Sequence, residues 1–142
     1  MNGVSVREAR LEDAPACAKI LRDGWKRAFP RQRRKVDVRI FLNETEGETV
    51  LVAERRGRVV GFAAIYTPEH FLHHLYVEPR NHRKGVGSLL LSAVRDRVSG
   101  PISLKTQTEN VRARNFYTRH GFTITEAGDD GNGPWVRMTA PD

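Results

Sequence analysis

A strand, a basic loop with two glycines and an apolar helix follow one another without interruption between His74 and Leu91. The apolar and aromatic residues before Pro79 are typical of a strand, which the proline then ends. Gly85 and Gly87 stand where the helix begins, and glycine permits backbone angles that other residues resist. This unit predicts a domain in which helices pack on a β-sheet.

The start of this helix is a predicted binding site for a pyrophosphate. The first N–H groups of a helix have no partner within it, and the helix dipole places partial positive charge there. Arg80, Arg83 and Lys84 add full positive charges. The loop lacks the Gly-Lys-Ser/Thr ending of a P-loop and the third glycine of the dinucleotide-binding pattern. A tight turn with close packing is the alternative explanation of the two glycines.

The periodicity of the remaining chain predicts the element order β-α-α-β-β-β-α-β-α-β-β. Helices are expected over about 13–29, 36–45, 84–98 and 111–120. Strands are expected over about 4–7, 48–54, 58–67, 70–78, 102–106, 122–126 and 135–139. The 142 residues are the size of one domain, so we expect a single α/β domain over residues 1–142 with a mixed, mostly antiparallel sheet flanked by helices.

Composition limits the location and the chemistry of the chain. Its apolar run from Val59 to Tyr66 is too short to span a membrane, and its first residues contain no apolar signal core, so we expect a cytoplasmic protein. Cys17, the single cysteine, permits no internal disulfide and no cysteine-based metal site. It lies on the apolar stripe of the first helix, where a small hydrophobe is favoured over a nucleophile. The net charge of +7 attracts phosphate groups of any kind.

Two segments resemble the signatures of the GNAT superfamily of N-acetyltransferases. The first runs from Leu75 to Gly87 and is similar to the acetyl-CoA signature Gln/Arg-x-x-Gly-x-Gly/Ala, with His82 departing from its first position. The second is similar to Asn-x-x-Ala-x-x-Phe-Tyr-x-x-x-Gly-Phe. It matches at Asn110, Ala113, Phe116, Tyr117, Gly121 and Phe122. The similar portion extends over about 71–122, and the first third agrees in element order.

The resemblance implies acetyl-CoA as the co-substrate and no metal. It implies that the strand containing Leu75 to Val77 splays from the strand of 102–106, and that the pantetheine arm lies between them. Backbone groups of that strand would pair with the arm, while N–H groups at the helix start hold the diphosphate. The implied cofactor-binding residues are Leu75, Tyr76, Val77, His82, Arg83, Lys84, Gly85, Val86, Gly87, Ser88 and Asn110.

The resemblance also implies direct attack of an amine on the thioester within a ternary complex. Tyr117 matches the general acid that protonates the departing thiolate, and the alternative is a buried aromatic side chain. His73 and His74 are candidates for the base, because a primary amine must lose a proton before it attacks. Glu78, Glu109 or a water chain remain open as the base. Alternate packing on the two faces of a strand is the competing explanation of the two histidines.

The acceptor implied by the resemblance is a primary amine of a small molecule or a peptide. Its pocket would lie between segments 25–36 and 127–135, where Asp129 and Asp130 attract a cation or else form a solvated turn. An acyl-CoA-binding sensor without catalysis is the main alternative. A nucleic-acid-binding module, suggested by the basic run Arg31 to Lys35, is disfavoured because no nucleic-acid motif is present. No membrane partner is expected, and a homodimer remains open.

Overall fold

The computed structural model describes residues 3–82 and 84–141, and seven strands of these residues form one sheet. The strands are β1 (Val4–Glu8), β2 (Thr49–Arg55), β3 (Arg58–Tyr66), β4 (Phe71–Val77), β5 (Ser103–Gln107), β6 (Thr123–Asp129) and β7 (Pro134–Thr139). Their order in the sheet is β1-β2-β3-β4-β5-β7-β6. Neighbouring strands are antiparallel except β4 and β5, which are parallel. The predicted mixed, mostly antiparallel sheet is confirmed.

The helices are α1 (Ala14–Ala28), α2 (Val38–Glu44), α3 (Val86–Arg95) and α4 (Val111–Arg119). Pro15 lies in the first turn of α1, where its missing N–H costs nothing. The carboxylate of Asp37 caps α2 by accepting the N–H of Ile40 at 2.9 Å. Within the described residues, no helix is long and apolar enough to cross a membrane, and no three His, Cys, Asp or Glu side chains are grouped to hold a metal ion.

Asp13 directly precedes α1, but its side chain does not cap that helix. Its carboxylate accepts the backbone N–H of Arg10 at 2.7 Å and two hydrogen bonds from the Arg7 guanidinium, at 2.8 and 3.0 Å. It makes no capping bond to α1. Asp13 therefore joins the end of β1 to the start of α1.

Helices cover both faces of the sheet and produce two apolar clusters. The cluster beneath α1 and α2 contains Cys17, Leu21, Phe41, Val52 and Phe62. The cluster beneath α3 and α4 contains Leu51, Ala63, Leu90, Val94, Leu104, Tyr117 and Phe122. Cys17 is fully buried, and burial raises the pKa of its thiol to about 12, so its predicted role as a small hydrophobe is confirmed.

Candidate active site

A gap opens between β4 and β5 after their first residues. The two strands share one residue pair, Phe71 with Ser103, although β5 continues beside β7 as far as Gln107. On its other side β4 remains paired with β3 up to Val77. The gap therefore runs along most of β4, a length of roughly 20 Å at the usual rise of a strand.

Backbone polar groups line the β4 side of this gap. Successive residues of a strand direct their N–H and C=O groups to opposite sides. The N–H of Glu78 donates to Val60 on β3 at 2.9 Å, so the backbone groups of the preceding residue, Val77, face away from β3. By the same alternation Leu75 faces the gap. Leu75 and Val77 therefore direct their backbone N–H and C=O groups into the gap, where a ligand with amide groups can pair with them.

The start of α3 lies just beyond the end of β4. Gly85 precedes the helix with φ 80° and ψ 5°, a left-handed conformation that favours glycine. This conformation moves the helix start to Val86, whose side chain is buried in the core. A Cβ at Gly87 would lie 3.2 Å from Cε1 of Phe116, so Gly87 allows α3 and α4 to approach. Gly85 shapes the turn, and Gly87 serves packing.

Several side chains at this helix start are directed to the protein rather than to a ligand. The hydroxyl of Ser88 lies 3.0 Å from Nε2 of His120, and Val86 is buried. Lys84 is exposed, and Arg83 lies outside the described residues. The groups that remain for an anion here are therefore main-chain N–H groups and exposed cations.

The imidazole of His82 joins the end of β4 to α4. Its Nε2 donates to the carbonyl of Val77 at 2.7 Å, because a carbonyl can only accept. Its Nδ1 is then an acceptor, and it contacts the Arg112 guanidinium. Burial lowers the pKa of His82, and the cations of Arg112 and Arg27 lower it further, against the bond to Val77 that raises it. Neutral His82 thus holds Arg112 near the start of α3, although Arg112 occupies a variable position of the second signature.

Asn110 caps α4. Its Oδ1 accepts the backbone N–H of Ala113 at 3.2 Å, which accounts for the asparagine at the start of this helix. The expected contact of Asn110 with pantetheine stays a prediction, and the Oδ1 atom already has this structural role.

Tyr117 is buried on α4. Its ring packs edge-on against Phe116 and Phe122, with centroids 5.1 and 5.3 Å apart. Burial raises the pKa of the Tyr117 phenol well above its ordinary value, and the neighbouring phenol of Tyr76 raises it further. Tyr76 comes from β4, where its ring lies against Gly24 of α1. Tyr117 therefore keeps its proton at neutral pH, as a proton donor must.

A β-bulge places His73 and His74 together. Leu72 pairs with Ile65 and His74 pairs with Ala64, so His73 is an extra residue on β4. The two imidazole centroids lie 4.0 Å apart. The expectation that the two histidines point to opposite faces is wrong at this position, because a bulge interrupts the alternation of the strand.

The two histidines differ in their environment. His74 is 6% exposed, and burial, with smaller effects of His73 and Arg34, lowers its pKa to about 3. A carboxylate oxygen of Glu44 lies 3.6 Å from its Nε2, which is beyond hydrogen-bond distance. The His73 side chain is 37% exposed, and its Nδ1 lies 2.9 Å from Oε2 of Glu48. His73 therefore contacts both solvent and a carboxylate, whereas His74 is buried and remains neutral.

Glu78, the carboxylate considered as an alternative base, has a structural partner. Arg58 donates to both of its oxygens, at 2.9 and 2.6 Å, and Asn81 donates to one of them at 2.8 Å. Although burial raises the pKa of Glu78, Arg58 and the other donors lower it below its ordinary value overall. Such a carboxylate is a poor proton acceptor.

In the two segments expected around the acceptor, the aromatic and acidic side chains contact neighbouring residues. Trp25 packs on Phe29, with centroids 4.4 Å apart, and Arg34 lies 5.0 Å from the Trp25 ring. At the other segment, Asp129 and Asp130 accept backbone N–H groups of their own loop, each at 3.1 Å. These bonds support the interpretation of the acidic loop as a turn.

Known proteins are similar to this chain in sequence and in fold. The sequence model of the Acetyltransferase (GNAT) family matches residues 14–122. An uncharacterized N-acetyltransferase, YhfO of Bacillus subtilis (strain 168), is 28% identical over 84% of this chain and 89% of its own length. Aminoglycoside N(6')-acetyltransferase type 1 of Stenotrophomonas maltophilia is 28% identical over 86% of this chain and 88% of its own length. The structure of the paiA N-acetyltransferase from Thermoplasma acidophilum, in complex with coenzyme A, superimposes with a TM-score of 0.79 at 18% identity, covering 98% of this chain and 99% of that one.

Proposed function

Because the chain belongs to the acetyltransferase (GNAT) family, it is an N-acetyltransferase, and we propose that it moves the acetyl group of acetyl-CoA to a primary amine in a ternary complex. The observation that carries this proposal is the gap along β4. One end of the gap lies at the start of α3 and the other at Phe71, beside the bulge of His73. A long, amide-containing arm fits such a gap between two strands.

The start of α3 would hold the diphosphate of coenzyme A. Gly85 forms the left-handed turn before the helix, and the unpaired first N–H groups and the helix dipole favour an anion there. We assign the side-chain charge to Lys84, Arg83 and Arg112. Arg112 compensates for the residue that His82 replaces in the signature, because His82 holds its guanidinium at this end of the gap.

The pantetheine arm would pair with the edge of β4. His82 already occupies the Val77 carbonyl, which leaves the Val77 N–H and both backbone groups of Leu75 for the arm. This arrangement directs the thioester toward the closed end of the gap, near Phe71. The thioester supplies the activated acetyl group when acetyl-CoA is bound.

Tyr117 would protonate the departing thiolate of CoA. Its burial keeps the phenol neutral, and the charge that forms on the leaving sulfur is a strong acceptor for the phenolic proton. A hydroxyl group in a site that excludes water transfers its proton to one defined acceptor.

His73 would remove the proton of the acceptor ammonium before attack. It lies at the closed end of the gap and is exposed enough to pass the proton to water. We prefer His73 to His74 as the base. The buried imidazole of His74 has a pKa of about 3, so its affinity for the proton of an ammonium group is too low.

The proposed acceptor class is a primary amine of a small molecule or a peptide. The similarity to an aminoglycoside acetyltransferase makes polyamine sugars the first compounds to test, with peptide α-amines as the second class. The gap and the exposed side chain of His73 support acetyl transfer to an amine, and the acceptor class rests on the relatives.

A two-stage experiment tests the proposed function. Calorimetry should detect binding of both acetyl-CoA and CoA, and a library of primary amines should then yield acceptors that release CoA. No heat of binding for either compound would contradict the transferase assignment. Binding of acetyl-CoA without turnover of any amine would instead favour an acyl-CoA sensor.

A further inference from the structure

Glu48 carries a buried carboxylate whose two oxygens differ in their surroundings. Its side chain is 10% exposed, although its hydrogen-bond partner His73 is 37% exposed. Oε2 lies 2.9 Å from Nδ1 of His73, whereas the buried Oε1 has no hydrogen-bond partner among the described residues. Burial raises the pKa of Glu48, while the attraction of His73 opposes this change. The protein thus buries a costly carboxylate for one hydrogen bond.

The position of Glu48 follows from the strand register. Glu48 directly precedes β2, whose first residue Thr49 pairs with Ile65 of β3, and Ile65 pairs with Leu72 of β4. Glu48 therefore lies close to the level of the bulge, two strands away from it. The extra residue in β4 places His73 on the same side as His74, within reach of this carboxylate. Without the bulge, His73 would face the opposite side of the sheet.

We propose that Glu48 is a positioning residue that fixes the tautomer and the orientation of His73 for proton removal from the acceptor. An ionised carboxylate can only accept, so the proton of neutral His73 resides on Nδ1 and the lone pair on Nε2. Nε2 takes a proton from the acceptor ammonium, which leaves the amine lone pair free for attack. The imidazolium is stabilised by Glu48 and then releases the proton to water. This inference rests on the proposed function.

The other charged or titratable groups near the two imidazoles do not replace Glu48. His74 is neutral and buried, with its Nε2 3.6 Å from Glu44. Glu44 is paired with Arg34, whose positive charge opposes protonation of His74. Glu48 is therefore the carboxylate that the geometry assigns to His73.

Nuclear magnetic resonance of His73 tests the pair without any acceptor. In Glu48→Gln we expect the 15N chemical shifts of His73 to lose the signature of the imidazole that carries its proton on Nδ1, because an amide can donate as well as accept and no longer selects this tautomer. Glu46→Gln, which removes an exposed carboxylate from the same connection, should leave these chemical shifts as in wild type. If Glu48→Gln does not fold, Glu48→Leu removes the acceptor group and fills a similar volume.

Kinetics with the best acceptor of the amine library test the catalytic consequence. Glu48→Gln should lower kcat about ten-fold or more, leave the KM for acetyl-CoA unchanged, and have no further effect in a His73→Ala background. Unchanged 15N chemical shifts of His73, or an equal loss of kcat with and without His73, would overturn the positioning role alone. Failure of the wild type to turn over any amine would overturn the proposed function, and the positioning role with it.

Discussion

Phe71 of β4 is paired with Ser103 of β5, and the bulge at His73 begins two residues further along β4. Two irregularities of one strand therefore lie side by side. The first ends the pairing of β4 with β5, and the second changes the face of the sheet on which the His73 side chain lies. The candidate active site is thus built mainly from backbone geometry, and the proposed base and acid, His73 and Tyr117, belong to separate elements.

Replacing Tyr117 with Phe tests the general acid. The substitution removes the hydroxyl and keeps the ring that packs against Phe116 and Phe122. We expect CoA release to fall about ten-fold or more, with little change in the affinity for acetyl-CoA, because the acid acts when the thiolate departs. Tyr66→Phe, at the exposed end of β3, is the matched control and should retain full activity. Equal rates for Tyr117→Phe and wild type would exclude the phenol as the acid.

Gly85→Ala tests whether the left-handed turn forms the anion site. An L-residue at φ 80° costs about 1 kcal/mol of folding stability, and the strain should also turn the first helical N–H groups away from the ligand. Gly57→Ala is the control, because Gly57 has φ 76° in the β2–β3 turn, far from α3 in sequence. Urea unfolding should show a similar loss of folding stability for both variants. Calorimetry should show weaker CoA binding for Gly85→Ala alone.

The general fold could be predicted because its signals are local. The apolar periodicity of α1, the Pro79 stop and the glycines before α3 each act over a few residues, and the sheet confirms the predicted strands with shifts at their ends. The start of α3 was expected near Lys84, and it moves to Val86 because Gly85 adopts a left-handed conformation. Such shifts do not alter the topology.

The details of the site could not be predicted because they depend on contacts between distant segments. The bulge at His73 arises from the register of β3 and β4, which the sequence of β4 alone does not encode. Glu48 is 25 residues from His73 along the chain. Arg112 and His82 are 30 residues apart, and each looks like a neutral variation within its own motif. These pairs form only when the sheet brings the distant segments together, so the sequence alone does not reveal them.

Arg112→Gln tests the proposed contribution of Arg112 to cofactor binding. Loss of its positive charge near the start of α3 should raise the Kd for CoA about three-fold to ten-fold, and should make binding less sensitive to salt. Arg119→Gln removes an exposed cation from the last turn of the same helix and should change the Kd much less. An unchanged Kd for Arg112→Gln at low salt would remove this residue from the cofactor site.

Asp13 should control part of the acid stability of the fold. Its carboxylate accepts two bonds from Arg7 and one from the Arg10 backbone, and the Arg7 bond chiefly lowers its pKa, although burial opposes this. Asp13→Asn removes one of the two carboxylates that bind Arg7, leaving Glu54, and should cost about 1–3 kcal/mol at pH 7. Asp23→Asn, at a pair whose carboxylate is 44% exposed, should change the stability by less than about 0.5 kcal/mol.

The pH dependence of this difference follows from the direction of the Asp13 pKa shift. Because the folded pKa lies below the unfolded value of about 3.9, the unfolded chain binds more protons between the two values. The stabilisation is therefore complete well above pH 4 and is lost as the pH falls through the folded pKa. Urea unfolding of wild type and Asp13→Asn from pH 7 to pH 3 should show a difference that shrinks below about pH 4. A difference that stays constant over this range would mean that packing, rather than the charge of Asp13, stabilises the junction of β1 and α1.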